Sequence, residues 1–521
     1  MTKPLPVGIQ TFAQIVEGGF LYVDKTQSIY DLIQPAKGVY FLSRPRRFGK
    51  SLLVSTLAEV FAGNRDLFQG LWLYASPYAW EQHPVIRIDF SLDTVKSAAE
   101  LELTLVRILR DIGLRYGVTL DDAGYQYQFQ TLIRQLAATK PVVILIDEYD
   151  KPILDNIDNS TEAQRIRDVL KGFYTVIKGM DQYTRFVLLT GISKFSRVGV
   201  FSGLNNLKDI SMDDRFATLP GITQTEMETY FQTYLPAFAE REGVTVAELL
   251  VRIKQWYNGF RFSKRGEAVY NPFSLLLLFD MQDFRNYWFE SGTPTFLLKL
   301  IKERNYDIRQ IETLEVDELA FSTYEIEKLT VVPLLYQAGY LTIKEYDRKR
   351  SLYKLYYPNY EVENAFLTHL LGEFSAVEAG LNASHLWQMI DALQQNDLAA
   401  FFATLNFFFA RIPYDIQLKQ EKYYQTIFYL IFTLIGLRID AEVRTNHGRI
   451  DAVIELAQTI FLFEFKLDGD EQAALDQMKA NAYVERYQGL GKTIQLIGVN
   501  FSTEVRGVTG WKVESVAGMA T

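Results

Sequence analysis

Between Pro141 and Asp150 the chain reads PVVILIDEYD, an unbroken apolar run that stops on acids. A β-branched run with no polar alternation fits a strand covered on both faces. Such a strand needs helices above and below it, and therefore a largely parallel sheet fed by crossover helices. The neighbouring sequence meets that demand. "GVYFL", "PVIRIDF" and "RFVLLTG" read as further strands, and "SLLVSTLAEVFAG", "SAAELELTLVRILRDIGLRYG" and "EAQRIRDVLKGFYTVIKGM" read as the helices between them.

At 521 residues the chain exceeds one ordinary core. Three zones are expected. Residues 1–240 form the α/β domain with its parallel sheet. Residues 241–375 are helical and rich in aromatics, and "LTVVPLLYQAGYLTIKEYDRKRSLYKLYYPNYEVENAF" predicts a helix and then a hairpin turning at Asp347 to Arg350, a winged-helix-like unit. Residues 376–521 read as helix ("SHLWQMIDALQQNDLAAFFATLNFFFA"), helix, three strands, helix, strand, a second α/β domain.

Composition removes several classes of function. A net charge of -9 argues against a uniformly basic surface for nucleic acid, though not against a local basic groove. Without cysteine there are no disulfides or thiolate metal sites, and His83, His369, His385 and His447 are too dispersed for a zinc motif. This suits a cytoplasmic protein. The first residues lack the apolar core of a secretory signal. The most apolar stretch, Ile427 to Leu437, falls short of the roughly 18 residues a membrane span needs, so no membrane association is expected.

Two stretches carry chemistry. In "FLSRPRRFGKSLLVS", Phe41 to Ser55, an apolar strand leads to Gly49-Lys50-Ser51 and then a helical pattern. Between a strand and a helix, backbone N–H groups face phosphate oxygens, a lysine reaches the β and γ phosphates, and a Ser/Thr hydroxyl binds magnesium. The strict motif opens with glycine five positions before Gly49, where this chain has Arg44, so a helix that merely begins Gly-Lys-Ser stays open. Asp147 and Glu148 end the apolar run as a magnesium-coordinating acid and a water-polarising acid would. A surface turn is the alternative for Glu148 and Asp150. Thr190, Ser193 and Lys194 end the strand "RFVLLTGIS", where a γ-phosphate sensor would stand; ordinary strand-end polarity accounts for them as well.

In the second stretch, "GRIDAVIELAQTIFLFEFKLDGDEQAALDQMKA", alternation puts Leu462, Glu464 and Lys466 on one strand face and Phe461, Phe463 and Phe465 on the other. Asp451 starts the preceding strand. Metal-assisted phosphodiester cleavage needs converging carboxylates and a nearby cation, and Asp451, Glu464 and Lys466 form such a set. A salt bridge between alternate strand residues is the plainer explanation.

The motifs "FLYVDKTQSIYDLI", "FLSRPRRFGKSLLVSTLAEVF", "VVILIDEYDKPI", "LLTGISKFSRVGVFSGLNNLKDIS" and "WYNGFRFSKRGEAVYNPFSLL", together with "GRID", "FEFK" and "ALDQMKANAYVERY", resemble a bacterial family of AAA-ATPase-like proteins fused to a PD-(D/E)XK nuclease domain. The resemblance implies an ATP- and magnesium-dependent P-loop domain and a C-terminal restriction-endonuclease-like domain acting on DNA or RNA. Arginine-rich loops conform to the family, which implies nucleotide contacts from Arg46, Arg47, Phe48, Gly49, Lys50 and Ser51, with Asp147 and Thr190. Ser51, Asp147, Glu421, Asp451 and Glu464 are the implied metal ligands, and Glu148, Asp451, Glu464 and Lys466 the catalytic groups. Glu442 competes with Glu421, and Gln477 matches a glutamine near such sites or lies on a solvated helix face. Asp24, Lys25 and Thr26 match the family's "VDKT", with helix capping as the alternative. Four basic residues, Arg44, Arg46, Arg47 and Lys50, are expected to crowd the phosphate loop. Arg185 and Arg197 are candidate arginine fingers if the chain forms a homo-oligomer. The competing function is an ATP-switched binding or signalling module with an inactive nuclease fold.

Overall fold

The computed structural model describes residues 2–194, 200–201, 204–289, 295–304, 306–321, 330–375, 379–410, 421–439, 443–444, 452–480, 483–487 and 490–516. They form two compact units: Met1–Thr293 with Thr313–Val362, and Pro294–Glu312 with Glu363–Thr521.

The first unit is built on strands β1 (Gly38–Ser43), β2 (Val85–Asp89), β3 (Val142–Asp147), β4 (Thr184–Gly191) and β5 (Lys208–Asp209). They lie in the order β2-β3-β4-β1-β5, and the pairs β1/β4, β1/β5, β2/β3 and β3/β4 are all parallel. Every residue of β3 is buried, as its apolar run demands. One face packs under the helix Lys50–Phe61 through Leu42, Val143, Leu145 and Leu188 against Leu53, Val54 and Leu57. Helices Ala98–Arg115, Tyr125–Leu136 and Ser160–Gly179 pack together as a further layer, with Phe129 stacked on Phe173 at 4.5 Å. Parallel register brings the carboxyl ends of β1, β3 and β4 to one edge, and β4 stands between the other two.

The same unit continues through helices Gln224–Tyr230, Leu235–Glu242, Val246–Tyr257 and Pro272–Met281, which share a core of Phe231, Phe238, Tyr257 and Phe279. Capping boxes at Thr223/Glu226 and Thr245/Glu248 start two of them, and Asn271 caps a third. Beyond lie the helix Val331–Ala338 and a three-stranded antiparallel sheet of β6 (Glu315–Val316), β7 (Thr342–Asp347) and β8 (Leu352–Tyr356), in the order β6-β8-β7. This is the helix and hairpin expected there.

The second unit carries a five-stranded mixed sheet: β9 (Val443–Arg444), β10 (Ala452–Glu455), β11 (Thr459–Leu467), β12 (Thr493–Ser502) and β13 (Gly507–Val516), in the order β13-β12-β11-β10-β9. Two expectations change here. The long helix read from "SHLWQMIDALQQNDLAAFFATLNFFFA" is two helices, Ala379–Gln394 and Leu398–Ala410. Asn396 takes a left-handed φ of 57° and Asp397 accepts the Ala400 N–H at 3.0 Å, a C-terminal stop followed by an N-terminal cap. The edge strand β13 was not expected at all; its face is largely exposed, so it has no apolar signature.

Candidate functional site

Gly49 sits at φ 84°, a left-handed conformation that costs other residues a Cβ clash, and it opens the helix Lys50–Phe61. Arg47 is also left-handed, at φ 62°. The loop between β1 and this helix is braced from residues more than 200 positions away. Phe48 is buried and meets the rings of Phe260 and Phe262 at 4.8 and 5.2 Å. Its side chain therefore belongs to the core, and only its backbone faces the loop. The exposed Arg47 stacks over Phe273 at 3.9 Å. The Arg46 carbonyl accepts the Trp288 indole N–H at 3.2 Å. Gly339 packs so closely on Pro45 that a Cβ there would come within 2.7 Å. The "WYNGFRF" and "VYNPFSLL" motifs thus supply walls of the loop as well as core anchors.

Arg44 does not crowd the loop. Its side chain is 1% exposed and donates to the carbonyls of Ser43 (2.8 Å), Ser211 (2.8 Å), Phe216 (3.1 Å) and Ala217 (3.4 Å), with Phe262 at 4.1 Å beneath the guanidinium. Burial brings its pKa down to about 10. These partners are carbonyls rather than carboxylates, and they tie the end of β1 to the segment after β5. The expected basic cluster is therefore Arg46, Arg47 and Lys50.

Lys50 is 3% exposed, and its ammonium reaches the Arg44 and Pro45 carbonyls at 3.2 Å and Glu148 Oε1 at 3.2 Å. The lysine of Gly49-Lys50-Ser51 and the second acid of "DEYD" are thus brought together. Glu148 takes a left-handed φ of 51°, which turns its side chain out of the strand's alternation. Asp147 is fully buried. Its Oδ1 accepts the Thr190 hydroxyl at 2.6 Å and the Glu148 N–H at 3.1 Å, while Oδ2 is buried without a hydrogen-bond partner. A buried carboxylate oxygen lacking a donor is costly unless a cation takes it up. Among the described residues no three acidic or histidine side chains converge on one point. Magnesium on a triphosphate draws most of its ligands from water and phosphate oxygens, so the hydroxyl of Ser51 and one carboxylate fit it.

The neighbouring candidates have other partners. Asp150, also fully buried, accepts the N–H groups of Ile192 (3.1 Å) and Ser193 (2.7 Å) and the Ser193 hydroxyl. Burial, with Glu148 nearby, pushes its carboxyl up to about 6. Lys194 pairs with Asp209 at 3.0 Å. Arg185, at the opposite end of β4, donates to the Ile33 and Pro35 carbonyls at 2.7 and 2.8 Å and closes the helix Thr26–Ile33. Arg197 lies outside the described residues.

Asp24 and Thr26 do what capping residues do. Asp24 accepts the N–H groups of Thr26 (2.8 Å) and Trp72 (2.7 Å), and the Thr26 hydroxyl accepts that of Leu73 at 3.0 Å. Lys25 differs: its ammonium meets both Glu226 oxygens, at 2.7 and 2.5 Å, and the Thr218 carbonyl at 3.1 Å. Burial lowers its pKa despite the carboxylate.

In the second unit, Glu464 and Lys466 share the β11 face covered by the helix Glu471–Ala480, where Leu462 packs with Leu475 and Met478. Phe463 and Phe465 turn the other way, onto Phe401, Phe428 and Phe432. Glu464 is 4% exposed, and its Oε1 lies 3.4 Å from the Lys466 ammonium. Gln477 joins them: its amide donates to Glu464 and its carbonyl accepts from Lys466. Gln477 is thus directed at the pair. Asp451 and Glu442 lie outside the described residues, and Glu421 is described only as the first residue of the helix Glu421–Ile439. The Glu464 carboxylate suits one place in a metal site; the other ligands expected there, Asp451 and Glu421, are not described beyond this.

The braces on the phosphate loop, Trp288, Gly339 and the rings at 260, 262 and 273, were not singled out for it. The rings at 260, 262 and 273 belong to two short aromatic motifs, whereas Trp288 and Gly339 lie outside them.

Residues 6–201 match the family described as Predicted AAA-ATPase, and residues 419–511 match the PD-(D/E)XK nuclease superfamily. A protein of Azotobacter chroococcum mcd 1, described as an uncharacterized protein in the vnfD 5' region, is 42% identical over 527 residues, 99% of each chain. The Walker-type ATPase of Pyrococcus abyssi is similar at 12% identity and a TM-score of 0.32, over 66% of this chain and 94% of that one. No helix among the described residues is long and apolar enough to cross a membrane. With this architecture, in this order, and a relative of the same length throughout, the chain belongs to the family of predicted AAA-ATPases that carry a C-terminal PD-(D/E)XK nuclease superfamily domain.

Proposed function

We propose that the chain binds and hydrolyses ATP at the loop ending in Gly49-Lys50-Ser51 and uses magnesium to cleave phosphodiester bonds of DNA or RNA at the Glu464 cluster. The observation that carries the reading is the Asp147 carboxylate, buried at the end of β3 with one oxygen bonded to Thr190 and the other without a partner. Ser51 and Asp147 would hold magnesium, which neutralises phosphate charge when bound. Lys50 would exchange its loop carbonyls and Glu148 for phosphate oxygens. Glu148, released from that ion pair, would accept a proton from the attacking water. Thr190 keeps the Asp147 carboxylate oriented, and the exposed Arg46 and Arg47 offer charge to the phosphates.

At the second centre, Asp451 and Glu464, with Glu421, would be the metal ligands. Lys466, held by Glu464 and Gln477, would orient the water and offset charge on the phosphate. We place the protein in the cytoplasm, with ATP turnover gating the nuclease and self-assembly supplying any arginine finger. The test incubates the full chain with magnesium or manganese and labelled DNA and RNA, beside Asp451→Ala and Lys466→Ala. Cleavage lost in both variants supports the reading; equal cleavage by variants and wild type contradicts it. Cleavage that ignores ATP in wild type and Lys50→Ala alike removes the gating.

A further inference from the structure

Where Arg44 turns away from the phosphate loop, the first unit holds a small cavity of about 10 Å³. That is the lower edge of what one water or small ion occupies. Four segments distant in sequence meet around it: Arg44 just after β1, Lys194 just after β4, Ser211 just after β5, and Gln337 on the helix Val331–Ala338.

Two of these side chains carry a buried donor with nothing to donate to. Arg44 commits Nη1 and Nη2 to carbonyls, while its Nε has no hydrogen-bond partner. The Oε1 of Gln337 accepts the Lys194 N–H at 2.8 Å, which fixes the amide and leaves Nε2 as its free end, also without a partner. Gln337 is 4% exposed, so water at the surface does not relieve it. Charge points the same way. Among the described residues that line the cavity two are cations, Arg44 and Lys194, and none is acidic. The nearby Asp209 gives one oxygen to Lys194 at 3.0 Å and the other to the Ser211 N–H at 2.8 Å. Arg44 is surrounded by carbonyls and a ring, so one buried positive charge stands without a counter-ion.

We propose that this cavity is a binding site for a single monatomic anion, chloride, held by the Arg44 Nε–H and the Gln337 amide in the field of Lys194. Two donors and a surplus positive charge call for an acceptor that is itself negative. A water would accept from both donors but would turn its own hydrogens toward two cations. Phosphate and carboxylate ligands are too large for the space, so the site is separate from the triphosphate site and stands without that reading. The bound ion would tie the ends of β1 and β4 to the helix Val331–Ala338, and so steady the residue from which the phosphate loop departs.

The test follows urea unfolding of the full chain by tryptophan fluorescence, in chloride and in gluconate at constant ionic strength, for wild type, Gln337→Glu and Gln337→Leu. For a site of millimolar affinity, raising chloride from about 10 to about 200 mM should increase the wild-type folding constant about 5- to 20-fold. Gln337→Glu keeps the acceptor for the Lys194 N–H and supplies a carboxylate oxygen of its own, and Gln337→Leu removes the donor; both should lose the chloride dependence. General salt effects on unfolding act on all three proteins alike. Anomalous diffraction from crystals grown in bromide should place one bromide at the cavity in wild type and none in Gln337→Glu. Wild-type unfolding that is the same in chloride and gluconate overturns the proposal, as does a chloride effect of equal size in the variants. A bromide peak without any chloride effect on unfolding marks an adventitious ion only and also overturns it.

Discussion

Replacing Arg44 by glycine restores the residue of the strict phosphate-loop motif, and a reading from the motif alone expects a better loop. The structure predicts damage. Arg44 donates to four carbonyls, two of them at 2.8 Å, and its guanidinium lies 4.1 Å from the Phe262 ring centre. Each hydrogen bond from a charged donor contributes about 1.5–3 kcal/mol, and buried carbonyls left without donors cost about 1–3 kcal/mol each. The cation–π contact adds about 1–2 kcal/mol. Against these stands the penalty of burying the guanidinium, whose Nε has no partner. Taking the two short bonds at the low end, adding the ring contact, and discounting for desolvation leaves a net loss of roughly 2–4 kcal/mol for Arg44→Gly. Urea unfolding followed by tryptophan fluorescence reads this, since Trp288 bonds the same loop. Arg44→Lys keeps the charge without the fork and should recover only part of the loss. Arg44→Gly with wild-type stability, or with tighter ATP binding, would refute the role assigned to Arg44.

Two other residues give separable outcomes. Asp150 has its carboxyl raised to about 6 by burial, above the 3.8 of an unperturbed Asp. The native state therefore holds a proton more firmly than the unfolded chain, and Asp150 makes stability fall as pH rises from about 4 through 6. Asp150→Asn cannot titrate, so its stability relative to wild type should improve across that window; a pH-independent difference in urea midpoints contradicts the assignment. Gln477→Leu should lower nucleic-acid cleavage roughly 10–100-fold, as loss of a partner that orients a metal-site residue does. Stability should change by less than about 1 kcal/mol, and unchanged cleavage makes Gln477 a bystander.

Much of the framework was legible because burial writes itself into composition. β3 is apolar on both faces because both are covered, and Asp147 and Glu148 mark its carboxyl end. The alternation in β11 separated Glu464 and Lys466 from the phenylalanines for the same reason. Helix Ala379–Gln394 was run into its neighbour because apolar periodicity continues across Asn396 and Asp397, the two residues whose capping breaks it. β13 escaped notice because an exposed edge strand needs no apolar face. At the site, local motifs located Lys50, Asp147 and Glu148. Where Arg44 goes was hidden, since three of its partners lie 167 to 173 positions away.

We propose that a phosphate loop without its leading glycine works as an ATPase centre. Phosphate release from ATP by the purified full chain in magnesium, compared among wild type, Lys50→Ala and Glu148→Gln, tests it most directly. Wild type is expected to turn over ATP and both variants to lose turnover, with ATP binding retained by Glu148→Gln and weakened by Lys50→Ala. No turnover by wild type, or turnover indifferent to either substitution, contradicts it.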